Sequence, residues 1–303
     1  MTEDHISIIK LLLYYDIFDH PLTREEIIMN CNLPEESSGK SGIIEDVTAK
    51  EFIYRLDGYY SVRNDLSLIE KRRNGSLLAT TFLPKAIKMA KFISSFPFIR
   101  SVALSGSLSK DYMDDKKDVD YFIIVRPERL WLARTILILY KRIFLLNSYT
   151  YFCLNYFIDD EHLEIEQKNL FTATELFTLI PVTGSTCIDQ LIDANSWVKE
   201  YFPRFPIRDI RSVGPEHNGF LKKMLEWMLN NHLGNSLDKL AMKLTIKFWK
   251  RKYKDDPKDL FNKSFRLKRH VAKYHPENFQ DLILERYLKR VEDFEQEKQI
   301  NLN

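Results

Sequence analysis

Residues 102–125 constrain this chain more tightly than any other stretch. The apolar run Val102, Ala103, Leu104 leads into Ser105 and breaks on Gly106 and Ser107. A polar loop follows, and a second apolar run resumes through Asp118, Val119 and Asp120 into residues 121–125. Glycine lets a backbone approach a ligand closely, and Ser107 adds a hydroxyl and a free N–H. A short helix starting there would turn its N-terminus toward phosphate. Side chains alternate along a strand, so Asp118 and Asp120 are expected on one face and Val119 on the other. Paired carboxylates repel each other and resist desolvation. A divalent cation answers both problems, and Mg²⁺ takes oxygen ligands together with substrate phosphates. Two such ions, roughly 3.5–4 Å apart, would clamp an in-line phosphoryl displacement. A plain surface turn, built on Asp111, Asp114, Asp115, Lys116 and Lys117, accounts for the polar loop but not for Gly-Ser placed after a strand.

Gly106-Ser107 followed by Asp118-Val119-Asp120 and an apolar strand resembles the signature of nucleotidyltransferases of the DNA polymerase β superfamily. The likeness covers residues 98–160. It implies that Gly106 and Ser107 hold a triphosphate and that Asp118 and Asp120 bind Mg²⁺ or Mn²⁺. It also implies transfer of a nucleoside monophosphate from an NTP to an acceptor. A broader likeness takes in the Gly58-Tyr59-Tyr60 hairpin, Leu130-Trp131 with Arg134, Cys153 with Asn155, and residues 171–197. It points to a group of uncharacterised prokaryotic nucleotidyltransferase-domain proteins with an N-terminal winged-helix-like module, and names no substrate.

The pattern departs from the superfamily at one place. A third carboxylate is usual on a later strand, but the polar residue in the middle of the strand expected at 149–158 is Asn155. Either Asn155 is a third, uncharged metal ligand, or the missing acid comes from Glu164 or Glu166 just beyond. Solvent-facing roles for those two glutamates are the simpler reading. Lys110 is a candidate phosphate contact, and Arg134 a candidate for phosphate or an acidic partner. Glu175 reads as a helical residue that caps or pairs. The seven histidines form no metal spacing and are assigned no catalytic role. Trp197 and Trp249 read as core or interface residues.

The remainder sets the frame. A 303-residue chain is long enough for two or three domains. Residues 1–78 read as a winged-helix-like module: three short helices, a capping box at Thr23–Glu26, and a hairpin turning on Asp57-Gly58. Its third helix offers Glu45 and Asp46 against Lys50, which favours packing or dimerisation over DNA reading. Residues 79–195 read as a nucleotidyltransferase core with a small mixed β-sheet, and 196–303 as a helical C-terminal domain. Residues 65–95 read as helical, with Pro84 able to start a new helix. The expected fold class is therefore α+β.

A net charge of +2 gives no bulk argument for nucleic acid. Residues 221–273, however, hold 15 Lys/Arg against 5 Asp/Glu, a candidate surface for nucleic acid or another polyanion. The competing reading is an amphipathic helix whose polar face happens to be basic. Three scattered cysteines fit a reducing cytoplasm. No convincing signal peptide and no membrane-length apolar run are present. The expected function is metal-dependent nucleotidyl transfer to an acceptor the sequence does not identify. Two rivals are a catalytically degenerate nucleotide sensor and a winged-helix DNA-binding regulator.

Overall fold

A computed structural model describes residues 1–33, 42–114, 118–146, 150–206, 208, 211, 213–253, 265–274 and 279–302. The N-terminal part runs α1 (Glu3–Asp16), β1 (Leu22–Thr23), α2 (Arg24–Cys31), α3 (Ile43–Ala49), β2 (Tyr54–Leu56) and β3 (Tyr59–Ser61). The strands form a small antiparallel sheet in the order β1-β3-β2. The capping box forms as read: Glu26 N–H donates to Thr23 Oγ1 (3.2 Å) and Thr23 N–H donates to Glu26 Oε2 (2.8 Å). Asp57 and Gly58 both take positive φ, as a two-residue hairpin turn of the strands' own twist requires.

A long helix, α4 (Ser67–Ser94), leads into the second sheet. It runs unbroken through Pro84, where the sequence allowed a fresh start. The second sheet is built from β4 (Ile99–Ser105), β5 (Asp120–Val125), β6 (Cys153–Asp159), β7 (Ile180–Thr183), β8 (Phe265–Leu267) and β9 (Val271–Tyr274). Its order is β7-β4-β5-β6-β9-β8. The β5–β6 pair is parallel and the other pairs are antiparallel, so the sheet is mixed. Helix α5 (Leu130–Phe144) makes the crossover that a parallel pair needs.

Both faces of this sheet are covered, which explains the near-continuous apolar run of β5. Val119, Tyr121, Ile123 and Val125 pack into a core with α4 and α5. Phe122 and Ile124 pack into the opposite core with α6 (Leu170–Thr178) and α7 (Ser185–Ala194). That second core is continuous with α1 and α2, and with the last helix, α10 (Phe279–Lys298).

Residues 196–303, read as a helical domain, also contribute strands. Helices α8 (Phe220–Leu229) and α9 (His232–Lys252) are present, but β8 and β9 extend the central sheet beside β6. Three- and four-residue strands carry too little alternation to be told from loops. Helix α9 docks on α5, where Asp238 Oδ1 accepts the N–H of Leu132 at 2.8 Å. Among the described residues no helix is long and apolar enough to cross a membrane. All three cysteines are free.

Candidate active site

The ends of β4 and β5 lie side by side, with Ser105 opposite Asp120. The chain turns away from β4 at Gly106, which adopts φ +68°. A Cβ there would overlap Asp120 Oδ2, so glycine is demanded by the backbone and by the neighbouring carboxylate together. Ser107 then opens a single 3-10 turn, Leu108–Lys110, and its carbonyl accepts from Lys110 N (2.9 Å) and Tyr112 N (3.2 Å). One such turn is too short to act as the phosphate-attracting helix the sequence allowed. Two donors from this turn, the Gly106 N–H and the Lys110 ammonium, reach a carboxylate that lines the cleft.

Both donors point at one side chain. Gly106 N lies 3.4 Å from Glu175 Oε2, and Lys110 Nζ lies 2.7 Å from Glu175 Oε1. Lys110 also reaches the Gly106 carbonyl at 3.1 Å. Glu175 is the one charged residue of α6, whose other side chains are largely buried. That lone acid on an apolar helix was the available signal of a cleft residue, and the reading as a cap or pairing residue captured only its ion pair. The cleft is lined by Gly106, Asp120, Phe122, Asn155, Glu175 and Lys273, among others.

Asp120 sits at the centre. Burial pushes its carboxyl up to about 7; the Cys153 thiol pulls it back, Glu175 and Asp118 raise it further, and Lys110 lowers it. Asp118 precedes β5 and does not line the cleft, but its charge reaches both Asp120 and Lys141. Val119, between the two acids, is fully buried in the opposite core, as the alternation required.

Asn155 reaches this site through a β-bulge. Asp120 pairs with Cys153 and Phe122 with Tyr156, so β6 carries one extra residue at this point. Asn155 Nδ2 donates to Asp120 Oδ1, while its Oδ1 accepts from Cys153 Sγ at 3.2 Å. In this arrangement Asn155 supports the carboxylate rather than presenting a free oxygen to a metal. Glu164 and Glu166 are not brought to the cleft. They line a separate cavity of about 470 Å³ with His162 and His270, and pair with Lys168 and Lys268 respectively.

Among the described residues no three His, Cys, Asp or Glu side chains stand where they could hold a metal ion together. The donor chemistry still suits a hard cation that keeps most of its shell as water and phosphate oxygens, with one or two carboxylates from the protein. Asp120, half-buried and within reach of the charges of Asp118 and Glu175, is a group whose ionisation such a cation would favour.

The N-terminal part is tied to this site. Arg72 of α4, only 2% exposed, donates to Glu26 Oε1 (2.8 Å) and to the Asp111 carbonyl (2.7 Å). It thus links α2 to the loop that carries Ser107 and Lys110. Arg134 lies over the Trp249 ring, 4.6 Å from its centroid, in the α5–α9 interface. Trp249 and Trp197 are both buried. The chain matches no protein-family model, no curated protein and no solved structure.

Proposed function

We propose that this protein is a metal-dependent nucleotidyltransferase that moves a nucleoside monophosphate from an NTP to an acceptor. One observation carries the reading: a glycine turned to positive φ presents its N–H, together with Lys110, to an anion in the same cleft as the half-buried Asp120. In the structure that anion is Glu175. In the working protein Gly106, Ser107 and Lys110 hold the triphosphate, and Asp118 and Asp120 hold Mg²⁺ or Mn²⁺. The cation supplies charge neutralisation at the phosphates. Asn155 fixes the rotamer of Asp120 through its amide N–H. Positioning and electrostatics, rather than covalent chemistry by a side chain, account for the rate.

A second reading, a nucleotide sensor without turnover, is favoured by Asn155 standing where an acid is usual in the superfamily the sequence resembles. The Arg72 bridge to the winged-helix-like part would carry its signal. DNA reading by α3 has less support. Arg24 pairs with Glu45, and Lys50 and His5 with Asp46, so these cations near α3 are engaged by acids instead of being presented to a phosphate.

Calorimetric titration of each NTP with Mg²⁺ tests the proposal. Binding that is lost in Asp118→Asn/Asp120→Asn supports it, and pyrophosphate release then separates enzyme from sensor. If no NTP binds the unaltered protein, the proposal fails.

A further inference from the structure

A second pocket, of about 390 Å³, lies between α5, α9 and the start of β6. Its volume falls within the range of small-ligand sites, roughly 300–1,000 Å³. Arg134, Lys141, Arg142 and Lys252 line it, and among the described residues no Asp or Glu does. Lys141 and Arg134 are buried, so their charges act where water screens them least. Apart from Thr135, Asn155 and Thr245, the rest of the described wall is aliphatic, aromatic or the Cys153 thiol. Phe248 is half exposed, with the Arg142 guanidinium over its ring at 5.9 Å from the centroid, so an aromatic side chain and a cation stand together on the pocket wall. Cationic groups beside an aromatic platform match a phosphate joined to a base.

The position of this pocket matters as much as its chemistry. Asn155 lines both it and the Gly106–Asp120–Glu175 cleft. Asn155 also donates to Asp120 Oδ1, so the two spaces adjoin through this one side chain. The exposed surface of α9 continues the positive charge outward through Lys247, Lys250 and Arg251.

We infer that the α5–α9 pocket is the acceptor site and takes a nucleotide unit, either a free mononucleotide or the terminal residue of a single-stranded nucleic acid. This rests on the nucleotidyltransferase reading for the word acceptor, but the binding itself does not. The pocket holds the phosphate with its four cations and the base against Phe248.

Fluorescence anisotropy on the full chain, with a labelled single strand of about twelve nucleotides and with AMP as competitor, tests it. Arg142→Glu/Lys252→Glu changes two exposed positions, and circular dichroism checks that the variant folds. The expected result is at least tenfold weaker binding in that variant, with a shallower salt dependence. Asp118→Asn/Asp120→Asn should bind the strand undiminished while losing NTP. Displacement of the strand by AMP identifies a free nucleotide as sufficient, whereas a strand that AMP does not displace identifies the strand end. The inference is overturned if neither ligand binds, or if the charge-reversed variant binds as the unaltered protein does. Groove binding without any NTP binding would sink the transferase reading and leave the pocket standing.

Discussion

The ammonium of Lys110 stands 2.7 Å from Glu175 Oε1. The Gly106 N–H faces the other oxygen of the same carboxylate at 3.4 Å. Both donors are among those proposed to hold a triphosphate, and on that proposal Glu175 stands in the place of a phosphate. An incoming polyphosphate has to exchange with it. Glu175→Gln removes the competing charge and keeps the shape. Metal-free binding of inorganic tripolyphosphate should tighten about fivefold to tenfold, the equivalent of about 1 kcal/mol for one partly exposed ion pair. Isothermal titration reads this directly. Unchanged or weaker binding would mean that Glu175 does not compete for the donors.

Asp120 gives the opposite trade between stability and function. Burial above all pushes its carboxyl up to about 7, with Glu175 and Asp118 adding to the effect. At a pH above that value the folded protein holds an ionised carboxylate in a largely apolar wall, at a cost of roughly 4 kcal/mol at most, taking about 1.4 per tenfold. Asp120→Asn keeps an acceptor oxygen for Asn155 Nδ2 and removes the charge. Its metal-free Tm at mildly alkaline pH should rise by several degrees while Mg²⁺-dependent NTP binding disappears. Differential scanning calorimetry without metal decides the point, and a lower Tm in the variant contradicts it.

The legible and the illegible parts of this site have different physical origins. The turn at Gly106 and the opposite faces of Val119 and Asp120 were readable because strand alternation and glycine's special backbone are local properties, whereas Asp118 precedes β5 and does not line the cleft. The capping box at Thr23 and the Asp57-Gly58 turn were readable for the same reason. Glu175 lies 69 residues after Gly106 in the chain, and only packing of α6 against β5 brings it to the cleft. The bulge at Asn155 is invisible to any period-of-two reading, because the extra residue is defined by its partner strand. The β8–β9 hairpin is likewise made a part of the sheet by β6, not by its own short sequence. Glu164 and Glu166 attracted notice by nearness in sequence to Asn155, yet they face a different cavity.

Gly106→Ala should fail for two separable reasons. Positive φ strains any L-residue, by about 1 kcal/mol, and the new methyl collides with Asp120 Oδ2. Removing that oxygen relieves only the collision. In a double-mutant cycle with Asp120→Ala, the Gly106→Ala penalty should shrink by about 1–2 kcal/mol without vanishing. Urea unfolding of the four proteins measures it. Strict additivity would show that the loop moves aside, and that the glycine is not held against the carboxylate.

Asp238 makes the pH dependence of stability testable away from the cleft. It is fully buried and caps α5 from α9 by accepting the Leu132 N–H. Burial pushes its carboxyl up to about 6, against the opposing hydrogen bonds from Leu132 and Trp131 and the charges of Arg269 and Arg129. Below about pH 4 the group is protonated in the folded and unfolded chains alike, and its burial has no ionisation cost. Between about pH 4 and 6 the unfolded chain gives up the proton first, so this group's contribution to stability falls as pH rises. Above that window the whole cost, roughly 3 kcal/mol, is present. Asp238→Asn keeps an oxygen for Leu132 and never ionises. The variant should therefore gain on the unaltered protein by about 2 kcal/mol as the pH is raised from about 4.5 to 7, and by nothing further above that. Urea midpoints across the series provide the comparison. A difference that stays constant with pH would show that Asp238 is ionised at no cost, its charge fully answered by the α5 N-terminus and the two arginines.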